Sequence, residues 1–315
     1  MHLPKTLVTF LIVFGVGLSV LIFAQFSSAS EPVVLDLHSI LGTLHPCSTP
    51  GAVQFLSEDE IVVLASEGEN CFVADGLQVV AISLDSRIVA RHPWESSEVG
   101  PVLRPGRLIV PEPGAVTVLD EHLKPIQTLR IVKGGMPPDI SVTDTGVLSL
   151  TLYGESHFYL GTPLKEIHPP RDNAQLNGGV ISSGDGSWQL SRNGSSLIET
   201  PRGGPPKKLA DLSWVIPPCE DHDLCQTESS SVHFQIVLGK YDRILVTSLG
   251  AKFPLTSRFG LVVYFRAQVF DLNTGEPIYQ EEDLIRPREH VAALSPEGDR
   301  LAVCDGPSVS VHRLK

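Results

Sequence analysis

The chain has 315 residues, 42% hydrophobic and 19% charged, so it can bury a core and lacks a disordered composition. Its 27 Gly and 25 Pro break the sequence too often for a long-helix protein. Lys and Arg number 24 against 36 Asp and Glu, and a net charge of −12 excludes the basic footprint that nucleic acid requires.

At the N-terminus, Lys5 precedes an apolar run over residues 7–24 that ends at Gln25 and the small residues Ser28, Ala29 and Ser30. The pattern predicts a secretory signal in residues 1–30. The run is also long enough to span a bilayer, so an uncleaved N-terminal anchor is the alternative. Either way, residues 31–315 are expected outside the cytoplasm, periplasmic or secreted, or anchored by residues 7–24. Cleavage would remove Lys5 and no acid, making the chain one unit more negative.

The five cysteines all lie in the exported part, where oxidation is permitted. Cys47 and Cys71 flank the first hairpin and could pair. Cys219 and Cys225 bracket an acidic loop, which a disulfide would staple. A metal site of Cys219, Asp221, His222, Asp223 and Cys225 is the competing reading. Its spacing is unlike the Cys-x2-Cys clusters of structural zinc, and one short loop can hardly wrap a tetrahedral ion. Cys304 sits within an apolar strand and reads as a buried thiol.

A hairpin pattern recurs along the chain: an apolar strand, a turn rich in Ser, Gly, Pro and acids, and a second apolar strand. It occurs at residues 56–64, 102–110, 142–150, 181–190, 237–246 and 294–303, with second strands beginning near Ile61, Leu108, Val147, Trp188, Ile244 and Leu301. The spacings are 47, 39, 41, 56 and 57 residues. Several copies are followed by two more apolar runs, as at 79–84 with 88–90, 115–119 with 126–131, and 261–272 with 277–279. Four short strands per unit at this period predict an all-β fold, a six-bladed β-propeller forming a single domain over residues 31–315. A seventh blade would be required if residues 211–235 hide a degenerate copy. The residues after Leu301 and those from Glu31 to Glu60 together make about one further period. Val33–Leu37 is therefore expected to close the last blade, joining the N- and C-terminal strands. A two-sheet sandwich predicts no fixed period, and a parallel α/β fold needs helical stretches that are absent from the pattern.

Val269-Phe-Asp-Leu-Asn-Thr-Gly-Glu276 resembles the third strand and following turn of a WD-type repeat, with Phe270 where Trp usually stands. Leu294–Val303 resembles the first hairpin of such repeats, and Ser308–Leu314 the strand after it. The chain thus resembles bacterial WD-repeat-like β-propellers, sharply over residues 232–315 and faintly over 50–210. It lacks the Gly-His pairs and Trp-Asp ends of that family. The resemblance implies a rigid binding platform with ligands on one face or at the channel mouth. It implies no catalytic residues.

No motif supplies catalytic or metal chemistry. The eleven His are scattered, with no His-Glu-x-x-His, and no Gly-x-Ser-x-Gly occurs. Asn193-Gly194-Ser195 fits a glycosylation acceptor, but Asn-Gly also reads as a tight hairpin turn. In the resembled propellers, connections between blades lie on the ligand-binding face, which the loops between second and third strands, such as residues 251–259, share. That places Trp94, Arg171, Arg258, Arg286, Arg288 and His290 around one rim. Such a rim suits a carboxylate, phosphate or acidic peptide, although these Arg have acids such as Asp172, Glu281 and Glu282 nearby. Trp94 and Trp214 read either as contacts or as caps on the sheet beneath. The expectation is a monomeric, non-enzymatic binding or scaffold module for a protein or cell-envelope partner, without cofactor or metal. The alternative is an enzyme at the channel mouth: a carbohydrate-active hydrolase or lyase, or a cofactor-dependent oxidoreductase.

Overall fold

The structure, a computed structural model, describes residues 31–47, 52–68, 76–94, 102–104, 107–112, 115–130, 139–142, 148–152, 155–160, 163–167, 180–182, 188–216, 225–226, 232–238, 240–252, 262–284 and 290–314. The segment 1–30, expected to be a signal or anchor, lies outside them. Among the described residues, no helix is long and apolar enough to cross a membrane.

The chain opens with β1 (Val33–Asp36) and a single turn, α1 (Leu37–Leu41). Six antiparallel sheets account for the rest of the described strands. The first holds β2 (His45–Pro46), β3 (Val53–Phe55), β4 (Glu60–Ser66), β5 (Gln78–Ser83) and β6 (Ile88–Pro93). The second holds β7 (Val102–Arg104), β8 (Arg107–Glu112), β9 (Ala115–Leu119) and β10 (Pro125–Arg130). The third runs through β11 (Asp139–Val142), β12 (Leu148–Leu152), β13 (Glu155–Leu160) and β14 (Lys165–Ile167). The fourth comprises β15 (Val180–Ser182), β16 (Trp188–Asn193), β17 (Ser196–Pro201) and β18 (Lys207–Asp211). The fifth has β19 (Cys225–Gln226), β20 (Val232–Val237), β21 (Arg243–Lys252), β22 (Val262–Asp271) and β23 (Pro277–Leu284). The last combines β24 (His290–Leu294), β25 (Arg300–Asp305) and β26 (Ser308–Arg313) with β1 as its fourth strand.

All six hairpins read from the sequence are present, as β3–β4, β7–β8, β11–β12, β15–β16, β20–β21 and β24–β25. The N-terminal strand pairs as expected: Val33 lies opposite Val311 and Asp36 opposite Ser308. Residues 211–235 contribute β19 to the fifth sheet, and no separate sheet forms there among the described residues. The Asn193-Gly194-Ser195 segment is a tight turn. Asn193 pairs with Ser196, and Gly194 takes φ +59 as the first of the two central residues.

Burial explains the strand sequences. The middle strands β4 and β5 are almost continuously buried, which requires cover on both faces and hence unbroken apolar runs. The outer strands β6 and β10 mostly alternate between more and less exposed positions, with Arg91, Thr128 and Arg130 among the exposed ones. The cover comes from neighbouring sheets. One core joins Leu35, Val309 and Val311 of the last sheet to Phe55, Ile61 and Val80 of the first, and to Leu108 and Leu119 of the second. Further cores join the second sheet to the third through Val118 and Leu150, and the fourth to the fifth through Leu197 and Phe270. Another joins the fifth to the last through Val269 and Leu301. Each is an apolar interface between consecutive sheets, and the last sheet also meets the first. The fold is therefore all-β and of propeller type, with sheets stacked face to face.

Turn chemistry repeats as well. Asp120, just after β9, and Asp271, at the end of β22, accept backbone N–H bonds from the turns they open, His122 and Lys124 at 2.9 and 2.8 Å, and Asn273 and Thr274 at 2.9 and 3.1 Å. The Lys124 N–H holds the Asp120 carboxyl below its ordinary range. Cys47 is buried and disulfide-bonded. Cys71 and Cys219 lie outside the described residues, and only the strand backbone of Cys225 is described. Cys304 is buried as expected, its sulfur 3.9 Å from the Gly306 carbonyl.

Candidate functional site

The end of each sheet where its fourth strand hands over to the next sheet carries the connections on which a binding surface was expected. One of these connections, residues 37–44, is described whole, and two more are described in their first residues, Trp94 and 212–216. Each drives apolar side chains down between the sheets it joins.

The connection from the last sheet to the first contains α1. Asp36 caps it, its carboxylate accepting the Ser39 N–H at 3.3 Å and the Ser39 hydroxyl at 2.6 Å, and these bonds hold the carboxyl below its ordinary range. Leu37 and Leu41 then point into the shared core, at 0% and 2% exposure. The turn is short because Gly42 follows at φ +71.

The connection from the first sheet to the second begins with Trp94. Its indole is buried, and Nε1 donates to the Pro111 carbonyl on β8 at 2.8 Å. This corrects the expectation of a rim contact. A ring 4% exposed, with its one donor satisfied, fastens two sheets and offers no face to a partner. His92 lies close by, and its burial holds the imidazole below its ordinary range, with Glu112 acting weakly in the opposite direction.

The connection from the fourth sheet to the fifth follows β18. Leu212, Val215 and Ile216 are buried, with Trp214 half-buried above them. Beneath lies a polar cluster that sequence reading missed. The Ser248 hydroxyl donates to the Val215 carbonyl, and the Arg266 guanidinium donates to the Trp214 carbonyl. Arg266 also lies 5.3 Å from the centre of the Trp214 ring and 4.7 Å from that of Tyr264, and it pairs with Glu282 at 3.1 Å. Register puts Ser248, Arg266 and Glu282 in one row across three strands, so they share a face. A signal was available in the sequence: Arg266 and Gln268 interrupt an otherwise apolar strand two residues apart, as groups on one buried face do. This cation is buried and neutralised by Glu282, so it braces the connection and leaves little charge to attract a ligand.

Of the other rim residues, Arg171, Arg258, Arg286 and Arg288 lie outside the described residues. The backbone of His290 begins β24 opposite Asp305, at the same end of its sheet as these connections. The structure thus brings Trp94, Trp214 and His290 to connection-bearing ends of their sheets. It converts Trp94 from contact to plug, and Trp214 covers Arg266. Among the described residues, no group of three or more His, Cys, Asp or Glu could hold a metal ion.

No family model matches the chain, and no curated protein matches it. Solved structures similar to it include a streptogramin B lyase, with 10% identity and a TM-score of 0.42 over 86% of this chain and 95% of that one. A selenomethionine-substituted virginiamycin B lyase from Staphylococcus aureus has 11% identity and a TM-score of 0.42, covering 90% of this chain and 98% of that one. The WD40 domain of Toxoplasma gondii coronin has 11% identity and a TM-score of 0.36, covering 88% of this chain and 69% of that one. At such identities and scores, neither an activity nor a ligand carries over to this chain.

Proposed function

We propose that the six sheets are the blades of a six-bladed β-propeller closed by β1, and that the protein is an exported or membrane-anchored, non-enzymatic binding module. Its partner is a protein or cell-envelope component, met at the connection-bearing end. The observation that carries this reading is the anchoring of the connections. In the described parts of three of them, residues 37–44, Trp94 and 212–216, buried apolar groups fix the chain to the sheets below, which supports a pre-organised surface at this end. Arg171, Arg258, Arg286, Arg288 and His290 are proposed as its contacts. Trp94 is not among them. The disulfide at Cys47 supports an oxidising compartment.

Two experiments test this. A circular permutant that joins residue 315 to residue 31 by a short linker and opens at Gly194–Ser195 should fold if the ring is closed, and should fail if the ends are far apart. Photo-crosslinkers placed at Arg258 or Arg286 in cells should capture a defined envelope partner, whereas one at the outer-strand residue Val89 should not. Equal capture at all three positions would refute the assigned surface. Turnover of a polysaccharide or redox substrate, abolished by substitutions at the channel mouth, would establish an enzyme instead.

A further inference from the structure

The join between the first and last sheets contains a carboxyl pair that the binding reading does not use. The β3–β4 turn contributes Glu58 and the β24–β25 turn contributes Asp299, residues far apart in the chain, and the Asp299 carboxyl adjoins that of Glu58. Around them the two turns interlock. Glu58 Oε1 accepts the Glu297 N–H at 2.7 Å, and the Glu58 carbonyl accepts from Arg300 Nη1 at 2.6 Å. The Ser295 hydroxyl donates to Asp299 Oδ1 at 3.3 Å and accepts the Arg300 N–H at 3.1 Å. Glu58 Oε2 is buried and has no conventional donor. Two adjoining carboxylates repel unless one of them carries a proton.

Among the described residues, the packed turns bring these charged and titratable groups to the pair. On the β3–β4 side are Asp59 and Glu60. On the β24–β25 side are Glu297 and Arg300, with the Arg300 guanidinium spent on Asp59 at 3.0 Å and lying 4.0 Å from Asp299. The β20–β21 turn brings Lys240, Tyr241, Asp242 and Arg243, and the Tyr241 N–H donates to the Glu297 carbonyl at 3.1 Å. Among the described residues, no cation pairs with the Glu58 carboxyl.

We infer that Glu58 and Asp299 form a proton-dependent clasp between the first and last sheets, tight while one proton lies between the carboxyls and loosened when it leaves. Burial and the adjacent Asp299 raise the proton affinity of Glu58 above its ordinary value of 4.5. Between that value and the raised one, the folded chain binds more protons than the unfolded chain. The clasp's contribution is therefore complete below about pH 4.5 and is lost as pH rises through the folded-state value.

The test compares wild type with Glu58→Gln, whose amide donates toward Asp299 at every pH. Thermal midpoints are measured from about pH 4.5 to about pH 8, with hydrogen exchange at the Glu297 amide as the local readout. Wild type should fall behind the variant as pH rises, by about 2 °C for each pK unit of displacement. Glu297 exchange, corrected for its intrinsic pH dependence, should accelerate in wild type alone. Titrations common to both proteins cancel in the difference. Parallel curves, or a gap that opens the other way, overturn the clasp. If Glu58→Gln does not fold, Asp299→Asn provides the second reading: it should flatten the same dependence, and a wild-type slope in that variant is equally fatal.

Discussion

Gly275, in the turn between β22 and β23, lies against the backbone of the neighbouring fourth sheet. It has φ +74, and a Cβ built there would sit 1.9 Å from the Leu209 carbonyl oxygen and 2.9 Å from its carbon. Relieving the first contact requires the two sheets to separate by about 1.5 Å at that point, against an interface packed like a protein interior. The left-handed conformation costs a non-glycine residue about 1 kcal/mol, and forcing a methyl group into a packed backbone contact adds about 2 kcal/mol. Gly275→Ala is therefore expected to destabilise the protein by about 3 kcal/mol, lowering the thermal midpoint by about 6–9 °C. Gly194→Ala is the internal control. Its φ is +59, but nothing lies within 4 Å of the added methyl, so only the conformational cost of about 1 kcal/mol applies. Entropic effects on the unfolded chain are common to both variants and cancel. Circular dichroism melts of the two proteins at equal concentration measure the difference. Midpoints within about 1 °C of each other would refute the close approach of the two sheets, because the steric term distinguishes the variants.

Other substitutions probe the plugs and the buried polar groups. Trp94→Phe should preserve most of the buried ring yet leave the Pro111 carbonyl without its donor, costing about 1–2 kcal/mol in urea unfolding. A change below about 0.3 kcal/mol would show that water replaces the bond. Arg266→Leu should cost about 2–3 kcal/mol through loss of the Trp214 carbonyl bond and the Glu282 pair. Glu282→Gln should cost less, because that carboxylate is 36% exposed and solvent screens the pair; the reverse order in chemical denaturation would contradict this assignment. Burial and the Glu281 carboxylate push the Tyr279 phenol far above its ordinary range. The folded chain therefore retains that proton while the unfolded chain loses it, and stability should fall as pH rises above about 10. Ultraviolet titration should find a tyrosine that ionises only on unfolding, and Tyr279→Phe should remove that share of the alkaline slope.

The propeller period was legible because each unit repeats a local requirement. Strands such as Ile61–Ala65 and Leu301–Cys304 need apolar runs, and the turns between them need Gly, Pro, Ser and acids. Those requirements are satisfied within about ten residues, so composition and spacing record them. The excess of Gly and Pro that first excluded helices is part of this record: Gly194, Gly275 and Gly298 all take positive φ in hairpin turns.

Contacts between units leave a weaker trace. The sequence placed Trp94 and Trp214 on connections but could not decide between contact and plug, since either role uses the same aromatic surface. The position of Pro111 on the next sheet makes Trp94 a plug, while Trp214 stays half-buried with Arg266 beneath it. Glu58 and Asp299 read individually as ordinary turn acids, each suited to its own hairpin. Their pairing arises because the last sheet packs against the first and brings the turn of the first repeated hairpin against that of the sixth. The sequence by itself determined the strands, the turns and the number of repeated hairpins. The tertiary structure alone decided which turns touch, because long-range packing depends on two distant segments at once and neither encodes the other.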